Sequence, residues 1–142
     1  MCVAELHPRL RQDTFELGRL PLCRLLLMND AHWPWFILVP DRAGISEIHQ
    51  LDAADQWQLM RESSFLAEQL SRRFRADKLN IAALGNVVPQ LHLHHIARHR
   101  NDPAWPAPVW GRLEPRPYAE SELSEMRSFA AQLLQDSDKL LR

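Results

Sequence analysis

Residues 90–98 read QLHLHHIAR, and their alternation restricts the fold more than any other stretch of the chain. In a β-strand successive side chains point to opposite faces, so Gln90, His92 and His94 share one face while Leu91, Leu93 and His95 take the other. Three of the seven histidines in the chain fall in this one segment. Imidazoles at i and i+2 on a strand lie roughly 7 Å apart at Cβ, so one can attack a bound group while the other meets its leaving side. A free imidazole titrates near ~6.5 and serves as nucleophile, base or, once charged, phosphate partner. A strand carbonyl can also accept the Nδ1 proton and expose Nε2 as the reactive nitrogen. That arrangement suits attack at phosphorus, and the chain has no G-x-S-x-G to suggest acyl transfer.

The flanking sequence supplies the sheet on which such a strand would sit. "ELHPRLRQD" suits a short helix. "PLCRLLLMN" (21–29) is a short apolar run bounded by Pro21 and the turn-forming Asn29-Asp30, and "WFILVP" (35–40) is another, stopped by Pro40. The short connection between them predicts an antiparallel hairpin. Asp52 is placed to cap a long helix and Asp55 to add negative charge to its first turn. Within that helix Leu59, Met60, Leu66, Ala67, Leu70 and Phe74 recur at helical spacing, which predicts a core-facing stripe. A third strand (78–85) and a fourth (90–97) follow, close enough for antiparallel pairing. Over most of residues 98–117 Pro and Gly are too dense for regular structure, and so long a loop is usually functional or packed down. From about Ala119, Leu123, Met126, Ala130, Leu133 and Leu134 share one face of a final helix. The expected fold class is α+β: an antiparallel sheet with one long inserted helix and a C-terminal helix.

Composition limits the function classes. With 142 residues, 46 % hydrophobic and 25 % charged, the chain suits a single domain spanning 1–142 with a substantial core. A formal net charge of −1 gives no global attraction to nucleic acid, so none is expected as a partner. Two cysteines, Cys2 and Cys23, without a C-x-x-C pair speak against a thiolate zinc site or a disulfide framework. The opening "MCVAELHPRL" lacks a signal-type apolar core and no segment reaches a spanning length, so no membrane association and a soluble cytoplasmic protein are expected.

The chain resembles the histidine triad (HIT) superfamily of nucleotide hydrolases and transferases, whose signature alternates three histidines with apolar residues on a late strand. The resemblance runs through "NVVPQLHLHHIARHRNDPAWPAPVWG" and "LLLMNDAHWPWFILVP", most of the chain, and is closest to bacterial HIT-like proteins. It implies a HIT-like fold and a reaction in which His92 attacks the α-phosphorus of a nucleotide to give a nucleotidyl-histidine. Dinucleoside polyphosphates such as diadenosine polyphosphates, or nucleoside phosphoramidates, would be the substrates. It also implies that His94 lies near the phosphate and leaving group, that Asn29 meets the ribose, and that the chain forms a homodimer. Two positions depart from the pattern: Gln90 stands at the first triad position, able to hydrogen-bond but not to carry charge, and His95 occupies an apolar one. Val87 falls where the family commonly offers a hydroxyl, which leaves Gly85 and Asn86 to offer backbone contacts to phosphate. No metal is required for this chemistry, although magnesium could accompany a polyphosphate.

Other residues have competing readings. Arg98 and Arg100 could recruit phosphate by charge-assisted hydrogen bonds, or simply be solvated. His32 could line the pocket or sit in an exposed turn. Trp105 and Trp110 could fold over the site, meet a second subunit or pack as a satellite cluster. His95 is expected to be a buried polar or interface group, and Phe36 and Leu38 to be core. Two further classes stay open: a nucleotide-binding module with little turnover, motivated by Gln90, and a zinc or nickel site using His92, His94 and a distant carboxylate.

Overall fold

The computed structural model describes residues 4–141, so Cys2 lies outside the described residues. Five strands form one antiparallel sheet in the order β1-β2-β3-β5-β4: β1 Thr14–Arg19, β2 Cys23–Met28, β3 Trp35–Pro40, β4 Lys78–Ala82 and β5 Leu93–Arg98. A short helix α1 (Pro8–Asp13) precedes them, α2 (Ala53–Phe74) is inserted between β3 and β4, and α3 (Glu120–Leu140) ends the chain. The fold is therefore α+β, with the inserted and terminal helices expected from the sequence. β2 and β3 pair as the predicted hairpin, through Leu25↔Leu38 and Leu27↔Phe36.

Alternation divides the buried residues into two layers. On one face Leu25, Leu27, Phe36, Leu38 and Leu93 meet Leu59, Leu66 and Leu70 of α2 and Met126, Ala130 and Leu133 of α3. On the other, Leu26, Trp35, Ile37, Val39 and Ile96 are covered by Leu6, Leu10, Val88, Ala104 and Val109 from α1 and the loops. Residues 99–118 thus have no helix or strand but are packed down, as a loop that covers one sheet face must be. Asp52 caps α2, its Oδ1 accepting from the Asp55 N–H at 2.8 Å.

Four expectations need correction. β1 is an addition to the expected strands: TFELGR is an edge strand of half-exposed residues, so it lacks an apolar run, and it is interrupted by a bulge between Glu16 and Gly18. Gly18 is required there, because its φ is +156° and a Cβ would come within 2.5 Å of Leu134 Cδ1. The third strand ends at Ala82, short of 85, and the chain turns away at Gly85 with φ +73°. The fourth strand begins at Leu93 rather than 90, because the Leu91 N–H bonds to the Ile45 carbonyl instead of joining the sheet. Met60, placed in the apolar stripe of α2, is 62 % exposed, and Phe65 is buried in its place.

Glu62 is a fully buried carboxylate on α2. Its Oε2 accepts from the Leu22 N–H (2.8 Å) and the Gln58 amide (2.7 Å), and its Oε1 from the Cys23 N–H (2.9 Å). Burial raises its pKa, and those three donors oppose the rise. The carboxylate thus ties the β1–β2 turn to the long helix. Glu62→Ala should strip two buried backbone donors of their acceptor and cost roughly 2–5 kcal/mol in urea unfolding. A loss below about 1 kcal/mol would mean that the turn holds itself.

Candidate functional site

His94 projects from β5 on the face opposite α2, beside Ile37 of β3, while His92 immediately precedes the strand. Their rings stand edge to face with centroids 4.9 Å apart, and both are nearly buried, at 6 % and 4 % exposure. Each ring has one nitrogen engaged. His92 Nδ1 donates to the Gln90 carbonyl at 2.7 Å, and His94 Nδ1 accepts from the Trp35 indole N–H at 3.0 Å. Trp110 closes the other side, its ring 5.1 Å from His94 and 5.7 Å from Trp35.

The segment after β4 completes the site. Having left the sheet after Ala82, the chain turns at Gly85, and residues 84–88 line, with Leu10, Met28, His92, His94 and Trp110, a cavity of 320 Å³. Arg9 and Asp13 of α1 form its polar rim and are ion-paired to each other at 3.0 Å. Residues of this turn and the two rings thus border a space of ligand size. A second cavity, 560 Å³, adjoins it through Arg9, Asp13, Met28 and Trp110 and is lined further by Asn29, Asp30, Trp35 and the 109–117 loop.

Electrostatics separate the histidines. Burial pushes His94 down to about 3, helped by the neighbouring positive charge His92 and His95 would carry, so it is neutral throughout the physiological range. His95 faces α2 instead, as alternation requires. Its Nε2 accepts from the Ser63 hydroxyl at 2.7 Å, its Nδ1 donates to the Leu93 carbonyl, and burial lowers its pKa to about 4. It is a satisfied core polar residue. Among the described residues no three His, Cys, Asp or Glu side chains converge in a metal-ligand set.

The sequence profile of the HIT domain matches residues 9–101. The chain belongs to the HIT-domain family. Members of that family usually bind nucleotides. This HIT protein is similar to a histidine triad protein from Marinobacter aquaeolei VT8, with 51 % identity, 94 % of this chain and 98 % of that chain covered, and a TM-score of 0.92. It is also similar to histidine triad proteins from Bradyrhizobium japonicum (45 % identity, 93 % and 98 % covered, TM-score 0.91) and Sinorhizobium meliloti 1021 (44 % identity, 92 % and 97 % covered, TM-score 0.89). No curated protein matches the sequence.

The other residues singled out in the HIT sequence are distributed as follows. Gly85 and Asn86 line the histidine cavity. Asn29 lines the adjoining one, and its Oδ1 accepts from the Tyr118 N–H at 2.9 Å, so a ligand there would meet its NH₂ group. The Gln90 side chain is not beside the histidines, contrary to expectation: its Oε1 accepts from the His7 N–H and its Nε2 donates to the Glu5 carbonyl, clamping the N-terminal segment. What Gln90 offers the site is its backbone carbonyl. His32 is bound to Asp30 at 2.7 Å. Arg9, Asp13 and Trp35 were missed, because their approach to the histidines depends on strand register and on how α1 packs.

Arg98 requires the firmest correction. Its side chain is 1 % exposed and its guanidinium pairs bidentately with Asp102 (2.8 and 3.0 Å), bonds Asn80 at 2.8 Å, and lies over Trp105. Freeing it for phosphate would cost several charge-assisted hydrogen bonds of about 1.5–3 kcal/mol each. It is therefore a strut that, through Asp102, fixes the 99–107 loop, where Asp102 also accepts from the N–H groups of His99, Ala104 and Trp105. Burial alone would raise the Asp102 pKa, but the Arg98 and backbone bonds outweigh it and hold the carboxyl well below its ordinary range. The pair's stability is accordingly full above the ordinary Asp pKa of ~3.9 and is lost as pH falls below it. Asp102→Ala should cost about 3–5 kcal/mol at pH 7 by leaving a buried guanidinium unpaired, and should flatten the acid limb of the stability curve. Urea unfolding between pH 3 and 7 measures both effects.

Proposed function

We propose that this HIT protein is a nucleotide hydrolase or transferase in which His92 Nε2 attacks the α-phosphorus of a nucleotidyl substrate. One observation carries the reading: the Gln90 carbonyl accepts a hydrogen bond from the His92 Nδ1–H, which leaves a lone pair on Nε2 beside His94 at the 320 Å³ cavity. The substrate class is a dinucleoside polyphosphate or a nucleoside phosphoramidate. His94 steadies the phosphate by hydrogen bonding, and backbone N–H groups at Gly85 and Asn86 receive its oxygens. Asn29, in the adjoining cavity, meets the ribose. Arg9 replaces Arg98 as the cation nearest the phosphate chain. Magnesium, where present, belongs to the polyphosphate substrate.

The reading also includes a homodimer. Support comes from α2 and the free edge of β4 rather than from the aromatic loop, whose Trp105 and Trp110 pack on their own chain. Trp57 and Met60 are 74 % and 62 % exposed, and Ile81, opposite His95 in the β4–β5 register, projects to the same side of the sheet as α2. A Trp57→Glu, Met60→Glu double variant should shift the sedimentation coefficient from dimer to monomer. A wild-type monomer at micromolar concentration would contradict this.

Intact-protein mass spectrometry after brief mixing with diadenosine tetraphosphate should reveal an acid-labile adenylyl adduct in wild type and none in His92→Ala. Turnover should fall at least about 10³-fold in that variant, since the covalent route is removed. Binding of adenosine monophosphate without adduct or turnover would instead identify a binding module.

A further inference from the structure

The partners of the two rings determine where every proton in the site resides. An indole N–H donates and cannot accept. The 3.0 Å bond from Trp35 therefore requires a lone pair on His94 Nδ1 and puts the single proton of the neutral ring on Nε2. A second proton would have to enter at Nδ1, against a donor, in a ring 4 % exposed and bordered by Trp35, Trp110 and His92. His92 is fixed in the opposite sense, with its proton on Nδ1 and its lone pair on Nε2. The pair thus presents one nucleophilic lone pair and one neutral N–H. It presents nothing able to give up a proton, because loss of the His94 Nε2 proton would leave an imidazolate. The remaining charged groups that line the cavity are Arg9 and Asp13, bound to each other. Arginine does not release its proton, and a carboxylate accepting from it has none to give.

From this geometry we propose that the site selects its substrates by leaving group: it cleaves phosphoric anhydrides and is a poor catalyst for phosphoramidates. The proposal rests on the His92 reading above and chooses between the two substrate classes left open there. In the anhydride reaction the Nε2 lone pair forms the N–P bond while the bridging P–O bond breaks, its electron pair remaining on the departing phosphate oxygen. No proton moves in that step. The adduct ring carries the positive charge, with Nδ1–H still on the Gln90 carbonyl and the His94 N–H available to a phosphoryl oxygen. Water then forms a P–O bond, the N–P pair returns to Nε2, and one water proton passes to solvent. A phosphoramidate differs at one point: its amine nitrogen must gain a proton as the P–N bond breaks, and among the described residues that line the cavity no side chain supplies it. Trp35 is in this scheme a positioning residue, setting which proton His94 carries.

The test compares diadenosine tetraphosphate with adenosine 5′-phosphoramidate, which share the adenylyl group, by kcat/KM and by adduct formation on His92. The anhydride should be favoured at least about a hundredfold, the lower end of what a general acid contributes, with phosphoramidate turnover rising as pH falls. Trp35→Phe removes the indole donor and opens His94 Nδ1 to a second proton, so the phosphoramidate-to-anhydride ratio should rise at least about tenfold, most at low pH. Equal rates for the two substrates in wild type overturn the proposal and leave the His92 reading standing. Absence of adduct from both overturns the His92 reading itself. The same ratio in folded Trp35→Phe as in wild type overturns the assignment to Trp35, and if that variant fails to fold, the wild-type comparison decides alone.

Discussion

The pairing of β5 with β3 on one side and β4 on the other fixes which way each histidine points. Register sets Ile37 opposite His94 and Phe36 opposite His95, so the two adjacent imidazoles enter different layers. His95 goes to the helical layer and finds Ser63, while His94 goes to the loop-covered layer and finds Trp35. A slip of one residue would exchange them, burying the His94 position against α2 and aiming His95 at the cavity. The apolar residues prevent it: Leu93 and Ile96 would leave their own layers at the same time, at about 1.5–3 kcal/mol for each side chain removed from its apolar surroundings.

Buried polar groups then hold the irregular segments that make the site from this sheet. Glu62 ties the β1–β2 turn, Arg98 and Asp102 fix the loop that carries Trp105, and Asp30 accepts from His32 and from the Arg116 N–H, joining the β2–β3 connection to the segment before α3. The Gln90 side chain holds the N-terminal segment ahead of α1, and its carbonyl orients His92. One residue thus links the placement of Arg9 and Asp13 to the tautomer of the nucleophile. The amide of Gln90 accepts from His7 and donates to Glu5 from a single planar group, which gives this HIT protein's glutamine a structural role of its own.

Much of this was legible in the sequence, for identifiable reasons. Strands with strong apolar runs, the Asp52 cap and the separation of His92 and His94 from His95 follow from period and local chemistry, and all are found. β1 was not legible because a half-exposed edge strand with a bulge has no apolar run to reveal it. Arg98 was misread because an arginine at a strand end looks the same whether it faces a ligand or a carboxylate. Asp102 four residues on was the available clue. The fate of the Gln90 side chain depends on residues 83 and 85 positions away, and the Trp35–His94 bond on register between strands 59 residues apart, so neither has a local signal.

The two rings are held as opposite tautomers, His92 with a bare Nε2 and His94 with a bare Nδ1. Long-range ¹H–¹⁵N correlation spectra of the histidine side chains, recorded from pH 5 to 8, read this directly. The expected result is an Nδ1-protonated His92 in its neutral form and an Nε2-protonated His94 whose shifts stay constant across the whole range, consistent with a pKa of about 3. A His94 that carries its proton on Nδ1, or that titrates near the free imidazole value of ~6.5, would contradict it.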